Sequence, residues 1–183
     1  MIRPIYLYGQ GILRKVAADA DLTKKEELTQ LIQDMWDTLA KADGCGLAAP
    51  QIGESLQVLI VDGDVVSETY DYLKDFKRTM INPVVVEESE ETNVYSEGCL
   101  SVPGIYSDVK RPTSLTVEYY NEKFEKVREE FDKFAARMIQ HELEHLGGHL
   151  FVDNLAPIRR KMIEKKLQNI TKGKIATSYK TAK

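Results

Sequence analysis

A chain of 183 residues is long enough for one domain with a substantial core. Its 43% hydrophobic and 30% charged content is that of a globular protein, and a net charge of -4 argues against a generic nucleic-acid binder. There is no run of about 18 apolar residues to cross a membrane, no signal-peptide order in MIRPIYLYGQGILRK, and two cysteines are too few for a disulfide scaffold, so a cytoplasmic protein with reduced thiols is expected.

The first clear element is a helix over residues 23–42, TKKEELTQLIQDMWDTLAKA. Leu28, Leu31, Ile32, Met35, Trp36 and Leu39 recur at three- and four-residue spacing. Thr23 and Glu26 have the spacing of a capping box, and Asp43-Gly44 should end the helix. LQVLIVD (56–62) reads as a strand. TMINPVVVEE (79–88) reads as a second, whose proline suggests an edge or a start. Residues 62–78 between them have no period and should form a long loop. SLTVEYYN (114–121) alternates and could pair with KVREEF (126–131) as a hairpin.

A second helix should start at Asp132 as N-cap and end at Gly147-Gly148. It is apolar over most of its circumference, so it should be packed on several sides, with Lys133, Arg137, Gln140 and Glu144 left as a polar stripe. A third helix should begin at Pro157, and residues 158–183 form a basic helix and tail. The pattern indicates one α+β domain over 1–183, with short antiparallel strands around a central helix and a C-terminal helix.

All three histidines fall in QHELEHLGGHLF (140–151), and His141-Glu142-x-x-His145 is an H-E-x-x-H pattern. One helical turn stacks the two imidazoles so that both can bind one cation, while Glu142 can touch a bound water without being a ligand. The third ligand is open on these residues alone. Glu164 lies 19 residues beyond His145, as in a thermolysin-like peptidase. His149 falls two residues short of the third histidine of a metzincin, a reading that fails because Phe151 holds that place. Cys99 in EGCLS is a thiolate candidate, preceded by Gly98 for a tight turn. A structural zinc site in a binding module would need a fourth protein ligand, and only three stand out.

GCGLAAPQ (44–51), EGCLS (97–101) and QHELEHLGG (140–148) together resemble, in order and spacing, the three motifs of the peptide deformylase family. The resemblance covers nearly the whole chain and looks like the bacterial type 1 arrangement. It implies a hydrolase that removes the formyl group from the N-terminal formylmethionine of nascent polypeptides. By that resemblance Cys99, His141 and His145 hold one divalent metal, typically iron(II), with zinc, nickel or cobalt able to substitute. Water takes the fourth position. Glu142 is implied as general base and acid, with the Gln51 amide and the Leu100 N–H as oxyanion donors.

An apolar pocket for the methionine side chain is expected from Phe134 and Met138 on the histidine arc, and by resemblance from Cys45 and Tyr95. Extended substrate should pair with main chain near Gly46 and Gly104. The family usually has Asp where this chain has Glu144, for which a mild effect is expected. The basic C-terminal segment is expected to give weak, salt-dependent contact with the ribosome. No specific DNA and no membrane partner are expected.

Overall fold

In the computed structural model, which describes residues 1–183, seven strands and three helices follow in the order α1 (Lys25–Ala42), β1 (Gly46–Ala48), β2 (Val58–Asp62), β3 (Lys77–Glu88), β4 (Thr92–Cys99), β5 (Val102–Pro112), β6 (Ser114–Tyr120), β7 (Lys126–Asp132), α2 (Lys133–Leu146) and α3 (Pro157–Thr171). Five strands form an antiparallel sheet in the order β1-β2-β3-β6-β7, and β4 with β5 forms a separate hairpin. The α+β class and the central α2 agree with the sequence.

The compact run in β2 is explained by its two covered faces. Leu59 and Val61 pack with Met80, Val117 and the α2 residues Ala135, Met138 and Ile139. Val58 and Ile60 face the other way, onto Leu28, Ile32, Met35 and Leu39 of α1. In β6 the alternation sends Leu115, Val117 and Tyr119 into the α2 side of the core. A third cluster joins Val102, Ile105 and Val109 of β5 to Ile163, Leu167 and Ile170 of α3, with Ile5, Leu7 and Phe151.

Several expectations are corrected. Helix α1 starts at Lys25 without a capping box, because the Asp21 carboxylate accepts both the Thr23 N–H and the Thr23 hydroxyl. Strand β3 is neither an edge nor a start. Its first half pairs with β2 and its second with β6, and Pro83 sits at the bulge between them, beside Asn82 at φ 52°. Asp132 precedes α2 but makes no side-chain cap; the Tyr72 hydroxyl from the long loop accepts the Phe134 N–H instead. That loop contains two 3₁₀ turns, Asp64–Val66 and Asp71–Leu73. The chain does not finish on α3: Thr181 pairs with Ile5 in a parallel bridge.

The polar stripe of α2 is the largest departure. Arg137 is 2% exposed and Gln140 9%, so the middle of the stripe does not face water, while Lys133 at its start does. The buried part packs on the β4–β5 hairpin, whose first strand carries no apolar alternation in the sequence. No helix is long and apolar enough to cross a membrane.

Candidate metal centre

The hairpin brings Cys99 to α2. Cys99 pairs with Val102 across the tight turn at Leu100-Ser101, and the excess residues of β5, Pro103 to Tyr106, bulge outward with Gly104 at φ 77°. The ligand atoms of Cys99, His141 and His145 lie within 4.8 Å of one another, with Cys99 Sγ 3.3 Å from His145 Nε2. Tetrahedral coordination with bonds near 2.0–2.3 Å needs ligand atoms about 3.3–3.6 Å apart, which the Cys99–His145 pair already matches. The Ser101 N–H and the Gln51 amide also point to the sulfur, at 3.4 and 3.6 Å. The donor set of one thiolate and two imidazoles suits a borderline divalent cation.

Around the ligands lies a buried ionic network that the motifs did not announce. Glu97 accepts from Arg111 at 2.7 and 2.8 Å and from Arg137 at 2.7 Å, and it lies 2.8 Å from His141 Nδ1. Holding Nδ1 turns Nε2 toward the metal position. Burial would raise the Glu97 pKa, but Arg111 and His141 outweigh it and hold the carboxyl well below the usual range. Glu144 pairs with Arg111 and accepts from Asn154. It therefore stands behind Glu97 and Arg111 rather than on a solvated face. A strand period of two places Glu97 on the same face as Cys99, which is the signal in EGCLS that could have found it.

Glu142 is 4% exposed, and its Oε2 has no protein partner. Burial raises its pKa to about 7, a value suited to a base working near neutrality. Gly46 is required beside it, since a Cβ there would come within 2.5 Å of Glu142 Oε1. Gln51 is oriented without ambiguity: the Ala48 N–H can meet only its Oε1, at 2.9 Å, which sends Nε2 to Ser101 Oγ at 3.0 Å and toward Cys99. The Leu100 N–H donates to no protein acceptor, and its carbonyl accepts the Tyr179 hydroxyl at 2.6 Å. Burial pushes Tyr179 up to about 12, so it remains a donor.

These groups open into a cleft of about 590 Å³, within the range of roughly 300–1,000 Å³ usual for small-molecule sites. Cys45, Gly46, Gln51, Leu100, Gly104, Phe134, Met138, His141 and Glu142 line it as expected. His145 lies fully buried behind them. Burial, then the charge of Glu142, pushes Cys45 up to about 11, so it stays a neutral thiol.

Tyr95 does not line the cleft. Its ring packs on Phe134 at 5.4 Å, with Arg137 stacked over it at 5.1 Å, so it supports the wall from behind. The long loop was missed as part of the site. It supplies Val65 and Val66 to the cleft and stacks Tyr70 on Phe134 at 4.5 Å. His149 is exposed near Asp153, and Glu164 is exposed on α3, so neither belongs to the site.

The family model for polypeptide deformylase matches residues 2–161. A peptide deformylase of Flavobacterium psychrophilum is 43% identical over 98% of this chain and 96% of its own, and one of Christiangramia forsetii is 41% identical over 98% and 95%. Among solved structures, a peptide deformylase from Legionella pneumophila superposes with a TM-score of 0.82 at 36% identity, covering 95% of this chain and 98% of its own. That of Thermus thermophilus gives 0.82 at 33%, covering 94% and 99%. With a Cys-His-His cluster at the cleft and an adjacent unpaired glutamate inside the matched region, this chain belongs to the peptide deformylase family.

Proposed function

We propose a division of roles for the removal of formate from N-formylmethionyl peptides, carried by one observation: the unpartnered Glu142 carboxylate beside three converging metal-ligand atoms. Cys99, His141 and His145 would hold the cation. When bound, it supplies Lewis-acid polarisation and lowers the pKa of water toward neutrality. Iron(II) is the reading favoured for the site, with zinc, nickel or cobalt as substitutes. Glu142 takes the proton of the attacking water and delivers it to the leaving amine. Gln51 Nε2 and the Leu100 N–H donate to the developing oxyanion.

Gly46 lies on β1, the edge strand of the sheet, so extended peptide can pair with its free side, and Gly104 offers main chain on the outward bulge of β5. Cys45, Met138 and Phe134 receive the methionine side chain, with Tyr95 bracing Phe134. All of residues 1–183 act as one catalytic domain, in the cytoplasm, where formylated nascent chains are made.

The ligand set is tested by substitution. Cys99→Ala is expected to abolish stoichiometric metal and formate release from a formyl-Met-Ala-Ser peptide, while Glu164→Ala changes neither. Metal analysis of anaerobically purified protein reads the first, and a formate assay the second. Retained metal and activity in Cys99→Ala would remove Cys99 from the ligand set.

Ribosome contact is proposed through the exposed lysines of α3 and the tail. Ile163, Leu167 and Ile170 are core residues, so deleting residues 158–183 would damage the fold as well as the charge. Lys161, Lys165 and Lys166 are exposed and can be changed without that damage. Triple reversal to Glu is expected to weaken ribosome cosedimentation at low salt about tenfold or more while deformylation of free peptide is unchanged. Equal cosedimentation would remove the ribosome from the account.

A further inference from the structure

The last dozen residues lie outside the region that the family model matches, yet they return to the catalytic cleft. After α3 the chain turns at Gly173, whose φ is 70°, and the Lys174 N–H is fixed to the Asn169 carbonyl at 2.8 Å. Six residues later it is fixed again. The Ile5 N–H donates to the Lys180 carbonyl at 2.9 Å and the Ala182 N–H to the Ile5 carbonyl at 2.8 Å. Ile175 and Tyr179 pack against the cluster of Ile5, Ile163 and Leu167. Between these anchors, Ala176, Thr177, Ser178 and Tyr179 line the same cleft as Gln51, His141 and Glu142.

The segment is held at both ends but leaves its main chain unused. The N–H groups from Ile175 to Lys180 donate to no protein acceptor, and the carbonyls from Ile175 to Ser178 accept from none. Polar backbone that is pinned beside a substrate cleft and left unpaired is a ready partner for an extended peptide. Tyr179 ties the segment to Leu100, which turns directly after the ligand Cys99. The wall is therefore set against the site at a fixed place.

We propose that residues 175–179 form a substrate-reading wall, which contacts the peptide residues that follow formylmethionine. The occupant is the downstream backbone and side chains of the same formylated peptide, entering the cleft already described. The inference rests on the deformylase reading. It adds a specificity element that lies beyond the three motifs.

The test uses Ala176, which is exposed on the cleft wall and makes no backbone hydrogen bond within the protein. Full-length wild type, Ala176→Asp and Ala176→Lys are assayed on C-terminally amidated formyl-Met-Ala-Lys-Ser, formyl-Met-Ala-Glu-Ser and the short formyl-Met-Ala. The Asp variant should raise kcat/KM for the lysine peptide relative to the glutamate peptide about threefold, and the Lys variant should do the reverse, the size expected of an exposed charge pair. The change should appear in KM and fade at about 0.5 M salt. Formyl-Met-Ala amide, which carries no charge, should be cleaved equally by all three proteins.

The same peptide ratio in both variants, with formyl-Met-Ala still cleaved, would overturn the wall. Failure of wild type on all three peptides would instead strike the deformylase reading beneath it. The opposite charges control for each other, because a merely structural disturbance would move both variants in one direction.

Discussion

Glu142→Gln is expected to lower formate release by roughly a hundred- to ten-thousandfold while metal content stays stoichiometric. The substitution keeps the shape of the side chain and removes its capacity to take a proton. Stability should not fall. Glu142 is buried with Oε2 unpaired, and burial raises its pKa to about 7, so the ionised form is a cost to the fold that glutamine does not carry. Thermal melting of the metal-free variant should therefore match or exceed metal-free wild type. A non-catalytic metal site predicts no change in either property. Undiminished formate release in the variant would remove Glu142 from the mechanism.

Gly46 bears on this expectation. A side chain there would displace the Glu142 carboxylate, so the glycine at position 46 of the GCGLAAPQ motif is explained by the buried glutamate packed against it. The small residues of that motif read from sequence as room for something close by, and the occupant includes the protein's own glutamate. Its local structure was harder to see. Gly46–Ala48 is an edge strand of only three residues, too short for any period to register.

What was legible depended on whether the cause was local. The H-E-x-x-H geometry follows from one turn of helix, and β2 and β6 show in their apolar patterns because each packs against helices. The β4–β5 hairpin escaped because its strands satisfy themselves differently. Thr92, Val94 and Ser96 of β4 face solvent, and its buried position is the charged Glu97, so no apolar alternation marks it. Arg137 and Gln140 read only as part of a polar stripe, because nothing local marks a polar helix residue as buried. Only the partner strand, some 40 positions earlier in the chain, makes Arg137 an interior residue. The tail likewise reads as solvated basic chain until Ile5 is placed beside Thr181.

Glu97→Ala should be the most damaging single change in the network. Glu97 is the only carboxylate that pairs with Arg137, whose remaining acceptors are the Val109 carbonyl and the Asn93 carbonyl and side chain. Arg137 Nε is already buried without a partner, so removing Glu97 leaves a guanidinium with its charge uncompensated in the interior. Arg111 is better placed, because Glu144 remains beside it. Breaking a buried pair in this way costs about 3–5 kcal/mol, to be read by urea unfolding of the metal-free variant against metal-free wild type. Independently, His141 loses the acceptor at Nδ1 that orients its ring, and metal affinity should fall about 10- to 100-fold in chelator competition. Glu97→Gln separates the two effects. It can still accept from His141 and fill the space, so affinity should recover more than stability, which depends on the charge facing Arg137 and Arg111. If Glu97→Gln matched wild type in both measurements, the negative charge would have no role, and the short contacts around Glu97 would reflect packing alone.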